Sequence, residues 1–251
     1  MALQVFKPND LKARPEASKF LIDRLLPSSS VGVISGPPKC RKSWACAELL
    51  LSLSTSSKCF GVYDVPNPET VLYLPLEDSS EIVRSRLELM AHGRGISLSE
   101  MSRLMVCPTN EFRLDSDEAL ADLKLLIERH SIRFTVIDPL VRCLGNVSEN
   151  HSGQLNSVLS SLRQIQLDTG CTITLVHHNR KGSKTGGESL RGSGNLFSWI
   201  DFGFYCSKPA ERVTQIDLQF KGFPEANPVF FELKTSGAGL IPKWIGLDQE
   251  T

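Results

Sequence analysis

Short runs of apolar residues recur along the first two thirds of the chain, separated by longer stretches with helical spacing. The runs are rich in β-branched residues and lack strict polar alternation, which is typical of strands buried on both faces of a sheet. They lie at residues 31–35, 70–76, 103–107, 133–137 and 171–176. The helical patterns lie at residues 42–57, 79–93, 116–130 and 153–168. This alternation predicts a mainly parallel sheet flanked by helices.

The pattern changes after residue 200. Three strand-like segments follow one another with only short turns between them, at residues 201–206, 212–220 and 229–234. Such spacing predicts antiparallel strands that extend one edge of the sheet. The tail from about Thr235 is expected to cover an edge or to contact a neighbouring molecule. No proline- or serine-rich linker divides the sequence, so we expect one α/β domain over 1–251.

Composition narrows the possible partners and the cellular compartment. The 28 basic residues balance the 28 acidic ones, which excludes a general attraction to nucleic acid or to an anionic membrane and leaves only local patches. Seven cysteines occur without a CxxC pair, which favours reduced thiols. The start of the sequence lacks a signal-peptide core, and no stretch approaches 18 uninterrupted apolar residues. We therefore expect a cytoplasmic protein with no membrane partner.

The most informative motif is an eight-residue loop between the first apolar run and the first helical segment. It consists of Gly36, Pro37, Pro38, Lys39, Cys40, Arg41, Lys42 and Ser43. A strand, such a loop and a helix that opens with Trp44 form the context of a phosphate-binding P-loop, in which backbone N–H groups favour an anion. Lys42 is predicted to reach the β- and γ-phosphates of ATP, and the Ser43 hydroxyl to help hold Mg²⁺.

One position departs from the P-loop pattern, which has glycine immediately before the lysine. This chain has Arg41 there. Glycine permits a tight turn and a close approach of the backbone to phosphate. Arginine must therefore accept a strained backbone angle or follow a different loop path, and its side chain either points outward or adds charge near the nucleotide. We expect Arg41 to affect the turnover rate more than nucleotide binding.

Carboxylates follow two of the predicted strands. Asp138 ends an apolar run in the Walker B form and is predicted to hold Mg²⁺. Glu77 follows the second strand and is predicted to orient or deprotonate the attacking water. An exposed acid at the start of a helix is the structural alternative for Glu77. Its neighbour Asp78 is predicted to cap the helix that begins near Ser79.

The fifth predicted strand ends in a polar cluster at residues 177–181, with two adjacent histidines. The two histidines alone do not predict a metal site, because no third ligand follows at an obvious spacing. We therefore favour His178 as a sensor that hydrogen-bonds the γ-phosphate. The Gly- and Ser-rich stretch that follows is locally positive, which suits a loop that holds the backbone of single-stranded DNA. Its basic residues are Arg180, Lys181, Lys184 and Arg191. A solvated loop without a ligand is the alternative.

In combination, these motifs resemble those of the RecA-fold ATPases of the plasmid RepA type, which are small hexameric replicative helicases. The resemblance rests on the P-loop, on the acids Glu77 and Asp138, and on residues 177–181 and 186–193. The last two segments, His-His-x-Arg-Lys and Gly-Gly-x-x-Leu-Arg-Gly-Ser, make it much narrower than a P-loop alone. It covers about residues 15–235.

The resemblance implies a RecA-like P-loop NTPase core with a short N-terminal arm and a C-terminal tail. It implies a hexameric ring that binds ATP and Mg²⁺ between neighbouring subunits and acts on single-stranded DNA. Glu77 is then the catalytic acid, and His178 the sensor. Arg86 matches a family arginine near the nucleotide, and Lys221 lies where the family places a cation that reaches the next subunit's phosphate.

Two alternatives to a DNA translocase or helicase stay open. One is a RecA-like ATPase that acts as a signalling or assembly switch. The other is a nucleotide-binding scaffold without hydrolysis, which Arg41 would permit. A small-molecule kinase also shares the P-loop, but the sequence shows no second substrate-binding insertion and no obvious lid.

Overall fold

A computed structural model of the chain describes residues 5–10, 19–145, 152–179, 194–224 and 226–246. Its strands are β1 (Phe20–Ile22), β2 (Leu26–Pro27), β3 (Val31–Gly36), β4 (Val71–Pro75), β5 (Leu104–Val106), β6 (Phe134–Asp138), β7 (Thr172–His178), β8 (Phe202–Ser207), β9 (Val213–Phe220), β10 (Val229–Ser236) and β11 (Gly239–Trp244). Its α-helices are α1 (Lys42–Thr55), α2 (Ser80–Arg94), α3 (Asp117–His130), α4 (Leu140–Cys143), α5 (Ser152–Thr169) and α6 (Gly194–Trp199). Short 3₁₀ helices cover Pro8–Asp10 and Leu98–Glu100.

Nine of these strands form one sheet in the order β11-β10-β9-β8-β3-β7-β6-β4-β5. The six strands from β8 to β5 are parallel to one another, and β9, β10 and β11 continue the sheet as antiparallel neighbours. The predicted α/β class, with a mainly parallel sheet and antiparallel strands at the C-terminal edge, is confirmed. The first segment after residue 200 is β8, which is parallel to β3 and antiparallel to β9, so the antiparallel part of the sheet begins one strand later than predicted.

The sheet separates two hydrophobic cores, since successive side chains of a strand point to opposite faces. Along β4, Val71 and Tyr73 face the core that contains α1 and α2. Leu72 and Leu74 face the core that contains α3 and α5. Burial on both faces explains why the parallel strands are continuous apolar runs.

Helix α1 is enclosed on nearly every side. Eleven of its fourteen residues are buried, so it lacks the single apolar stripe of a surface helix. The hairpin of β10 and β11 closes over it and packs against α2. The contact is close enough that a Cβ on Gly239 would lie 2.1 Å from the Leu89 carbonyl oxygen. The tail from Thr235 therefore includes a paired strand, which the sequence did not predict.

Two other small elements were also not predicted. Strands β1 and β2 form an antiparallel hairpin of their own, outside the large sheet. Helix α4 adds a single turn after β6. The helices that the structure describes include none with the length and apolar character needed to cross a membrane.

Candidate nucleotide-binding site

The predicted site residues gather at the carboxyl ends of adjacent parallel strands. The loop of residues 36–43 leaves β3 there, between the ends of β7 and β8. The neighbouring β7 ends at His178, and β6 ends at Asp138 next to the end of β4. Ligands of open α/β sheets bind at this edge, where helix N-termini and loops converge.

The loop begins with a glycine because the backbone packs against β8. A Cβ on Gly36 would lie 2.3 Å from the Cys206 carbonyl oxygen. Pro37, Pro38 and Lys39 are exposed beyond it, and of these three only Lys39 has a backbone N–H to offer an anion. Helix α1 then starts at Lys42 and directs its first N–H groups into the same loop.

Lys42 is buried, and its ammonium group is held by the loop itself. Nζ donates to the carbonyl oxygens of Gly36 and Pro37, each at 2.9 Å, and lies 3.8 Å from the Cys40 sulfur. These carbonyls satisfy a buried charge that a phosphate would satisfy better. The ammonium is thus already located where the loop would surround an anion.

Arg41 accepts the left-handed backbone angle, with φ 65° and ψ 28° as the residue that caps α1. Its side chain points away from the loop. The guanidinium donates to the carbonyl oxygens of Arg212 at 2.7 Å and Glu211 at 3.2 Å, and to the Thr214 hydroxyl at 3.1 Å. The structure therefore shows a strained backbone angle at Arg41 with the side chain pointing outward, and not added charge beside the loop.

Asp138 is 8 % exposed and accepts two hydrogen bonds. The Tyr73 hydroxyl donates to Oδ2 at 3.0 Å, and the Ser43 hydroxyl also donates to this carboxylate. Burial raises the pKa of Asp138, and the two hydrogen bonds oppose that shift. The bond between Ser43 and Asp138 brings the two predicted Mg²⁺ ligands together. Their hard oxygen atoms are the donors that Mg²⁺ prefers, so these residues fit the ion.

Glu77 lies at the same edge, after β4, with about half of its side chain exposed. Its carboxylate forms an ion pair with Arg142 of α4 at 3.3 Å. It is therefore accessible from solvent beside the strand that carries Asp138. The prediction for Asp78 was wrong: Ser79 occupies the cap position without a side-chain cap bond, and Asp78 accepts from Arg86 at 2.8 Å instead.

Arg86 reaches from α2 towards the start of α1. Its guanidinium lies 6.0 Å from the centre of the Trp44 ring, and its charge acts on Asp138. Among the described residues, no acceptor bonds the buried Nη1 atom of Arg86. A buried donor without an acceptor beside a predicted phosphate site suits an anionic ligand.

The two histidines of β7 differ in exposure. His177 is buried, whereas His178 is exposed and pairs in register with Gly36. The next residue also contacts the loop, because the Asn179 N–H donates to the Gly36 carbonyl at 3.2 Å. The end of β7 is thus physically joined to the start of the loop. The predicted DNA-binding residues Arg180, Lys181, Lys184 and Arg191 lie outside the described residues.

Lys221 lies at the opposite end of the parallel strands. It follows β9, and its N–H donates to the Asp201 carbonyl at 2.7 Å, level with the start of β3. The six residues of β3 separate this point from the loop by roughly 20 Å. Lys221 therefore cannot reach the loop of its own chain.

Sequence reasoning missed two groups at the site. One is Tyr73, whose contact with Asp138 depends on β4 and β6 being neighbours. The other is Cys206, which hydrogen-bonds the Cys40 thiol. That bond, with the charge of Lys42, lowers the pKa of Cys40 to about 7 despite burial, and it raises the pKa of Cys206. No spacing in the sequence indicates either contact.

Comparison with known proteins identifies the type of fold. A family described as AAA domain (AAA_25) matches residues 2–184. Among solved structures, one described as an ATPase domain is similar with a TM-score of 0.63 and 12 % identity, over 85 % of each chain. A KaiC-like protein from the hyperthermophilic archaeon Pyrococcus horikoshii OT3 has a TM-score of 0.61 and 15 % identity, over 90 % of this chain and 96 % of that one. The RadB recombinase has a TM-score of 0.61 and 17 % identity, over 85 % of this chain and 90 % of that one.

Proposed function

Because the chain belongs to the AAA domain family and has the fold of RecA-like ATPases, we propose that it hydrolyses ATP to move along single-stranded DNA. We propose further that it does so as a ring of the RepA type. The observation that carries the proposal is the convergence of Lys42, the Ser43–Asp138 pair and His178 at one sheet edge.

ATP binding follows from the loop. The backbone N–H groups of Lys39 and of the first turn of α1 would surround the phosphates, since Pro37 and Pro38 have no N–H to donate. The Lys42 ammonium would exchange the carbonyls of Gly36 and Pro37 for phosphate oxygens. The hydroxyl of Ser43 and the carboxylate of Asp138 would hold Mg²⁺, which neutralises charge that develops on the phosphates. Trp44 and Arg86 would complete the site beside them.

Hydrolysis requires a base for the attacking water, and Glu77 is our choice. Its side chain is half exposed at the edge that carries Asp138, where its carboxylate pairs with Arg142 at 3.3 Å. Such exposed pairs are weak, so the carboxylate is free to turn towards a bound nucleotide and accept a proton from water there.

The connection between hydrolysis and DNA would run through β7. His178 lies beside the loop, and the basic residues Arg180, Lys181, Lys184 and Arg191 follow it directly in the sequence. A change in the hydrogen bond from His178 to the γ-phosphate would therefore act on the segment proposed to hold DNA. The similarity to the RadB recombinase supports a role on DNA.

The ring is supported by the position of Lys221. An exposed cation roughly 20 Å from its own loop can contribute to hydrolysis only at the site of another subunit. In a head-to-tail ring, each chain would present its nucleotide edge to a neighbour, and the neighbour's lysine would complete the site.

Measuring ATP hydrolysis with and without single-stranded DNA tests this proposal. We expect Mg²⁺-dependent turnover that rises several-fold with DNA, and a ring-sized mass in solution with ATP and Mg²⁺. Glu77→Gln should keep ATP binding and lower turnover by about 10²- to 10⁴-fold, which is the usual contribution of a general base.

The matched control is Glu88→Gln, a partly exposed acid of α2 that pairs with Arg84 and should leave turnover unchanged. Turnover indifferent to DNA would favour an ATPase switch over a translocase. Retained ATP binding without turnover would favour the scaffold. Normal turnover by Glu77→Gln would remove Glu77 from the mechanism.

A further inference from the structure

The hydroxyl of Tyr73 is a buried polar group that contacts the carboxylate proposed to hold Mg²⁺. Tyr73 is 1 % exposed, and its oxygen lies 3.0 Å from Oδ2 of Asp138. The register of β4 and β6 pairs Tyr73 with Val136 and Pro75 with Asp138. The phenol therefore reaches diagonally, two residues towards the carboxyl end of the neighbouring strand, to meet the carboxylate.

Packing alone does not account for this hydroxyl. The ring of Tyr73 fills the core between the sheet and α1, and phenylalanine would fill almost the same volume. A buried hydroxyl without a partner costs about 1–3 kcal/mol, so tyrosine is favourable here only because Asp138 accepts its hydrogen bond. The role specific to tyrosine therefore lies in its contact with the carboxylate.

Two donors hold the Asp138 carboxylate, one from β4 and one from the start of α1. Tyr73 bonds Oδ2, and the Ser43 hydroxyl bonds the same group. The terminal torsion of an aspartate is otherwise broad. Mg²⁺ requires nearly ideal octahedral geometry, so a carboxylate whose orientation is fixed binds it better than one that rotates.

We propose that Tyr73 is a positioning residue, whose hydroxyl holds Asp138 in the orientation that binds the Mg²⁺ of the nucleotide complex. This inference rests on the proposed function, since the role of Asp138 towards Mg²⁺ belongs to it. Tyr73 touches neither nucleotide nor metal and acts only through the carboxylate.

The test is Tyr73→Phe in the full chain, with binding of a fluorescent ATP analogue as the readout. We expect the affinity in EDTA to stay within twofold of the wild type. The Mg²⁺ concentration for half-maximal enhancement of binding should rise about tenfold or more, the usual effect of losing a group that orients a metal ligand. The matched control is Tyr205→Phe in β8, a buried tyrosine whose hydroxyl bonds Gln219 at 2.9 Å; it should change neither value.

A double-mutant cycle with Asp138→Asn shows whether Tyr73 acts through the carboxylate. If it does, adding Tyr73→Phe to Asp138→Asn changes the Mg²⁺ dependence less than twofold. The inference is overturned if Tyr73→Phe alone leaves the Mg²⁺ dependence within twofold, if its affinity in EDTA falls to the same extent, or if the two effects add. An Asp138→Asn variant with wild-type Mg²⁺ dependence would overturn the proposed Mg²⁺ site as well, which separates the two failures.

Discussion

At the scale of single residues, Arg41 replaces the backbone freedom of glycine with side-chain contacts. A left-handed conformation costs a non-glycine residue about 1–2 kcal/mol. Arg41 has this conformation and donates three hydrogen bonds to the segment between β8 and β9 and to the start of β9. These bonds offset the strain and also attach the nucleotide loop to the strand pair beside it.

Two substitutions of Arg41 separate these contributions. Arg41→Ala keeps the strain and loses the hydrogen bonds, so it should lower the free energy of unfolding by about 1–2 kcal/mol. Arg41→Gly loses the same bonds but removes the strain, so it should lose less. Urea denaturation measures both.

Arg84→Ala is the control, because its pair with Glu88 is exposed and should contribute less than about 0.5 kcal/mol. If Arg41→Ala were as stable as the wild type, the Arg41 hydrogen bonds would not stabilise the loop. If Arg41→Ala were less destabilised than Arg41→Gly, the left-handed backbone angle of residue 41 would not carry the strain assigned to it.

The sequence predicted the candidate residues whose chemistry is local and missed those that depend on which strands are neighbours. The spacing from Gly36 to Ser43 and the acid after β6 follow from a single segment each. The contact of Tyr73 with Asp138 needs β4 beside β6, and a sequence pattern gives strands but not their lateral order. The direction of the Arg41 side chain could not be predicted for the same reason, because its acceptor lies in the turn after β8.

At the scale of elements, α1 and α2 are joined by a buried ion pair. Glu48 of α1 is fully buried and bonds the guanidinium of Arg94 at the end of α2. The same carboxylate accepts from the Phe60 N–H at 2.7 Å. It therefore fixes both the second helix and the chain that leaves α1.

Glu48→Ala should be strongly destabilising, because it leaves a buried guanidinium and an amide without this acceptor. We expect a loss of about 3–5 kcal/mol in the free energy of unfolding, measured by denaturant titration. Glu48→Gln keeps an acceptor and should lose less. Glu88→Ala, from an exposed pair on α2, is the control and should lose less than about 1 kcal/mol. An equally small loss for Glu48→Ala would mean that the pair does not hold the helices together.

The elements themselves were largely predictable, because long apolar runs and helical spacing dominate their segments. Helix α3 begins where its predicted segment does, because the Ser116 side chain accepts a hydrogen bond from the Ala119 N–H. Strand β11 was missed because the segment after Thr235 contains glycine and proline, which are unfavourable in strands. The strand is stabilised by pairing with β10 and by packing on α2. Long-range contacts of that kind leave no local pattern.

At the scale of the whole molecule, the proposed nucleotide site and the proposed trans-acting lysine lie at opposite ends of the parallel strands. The nucleotide loop, Asp138 and Glu77 lie at the carboxyl ends of the parallel strands, and Lys221 lies at the opposite end. If Lys221 contributes to hydrolysis, it can therefore do so only at the nucleotide site of a second copy of the chain. Residues 36–43 remain the part on which every other proposal depends.

Direct binding of ATP with Mg²⁺, measured by calorimetry on the wild type and Lys42→Ala, tests that loop. The wild type should bind one nucleotide per chain. Loss of the charged hydrogen bonds from Lys42 should weaken binding by at least about 10- to 100-fold. Lys58→Ala, an exposed lysine paired with Asp64, should bind as the wild type does. A wild type that binds no ATP, or a Lys42→Ala variant that binds it equally well, would contradict the assignment of residues 36–43 as the triphosphate site.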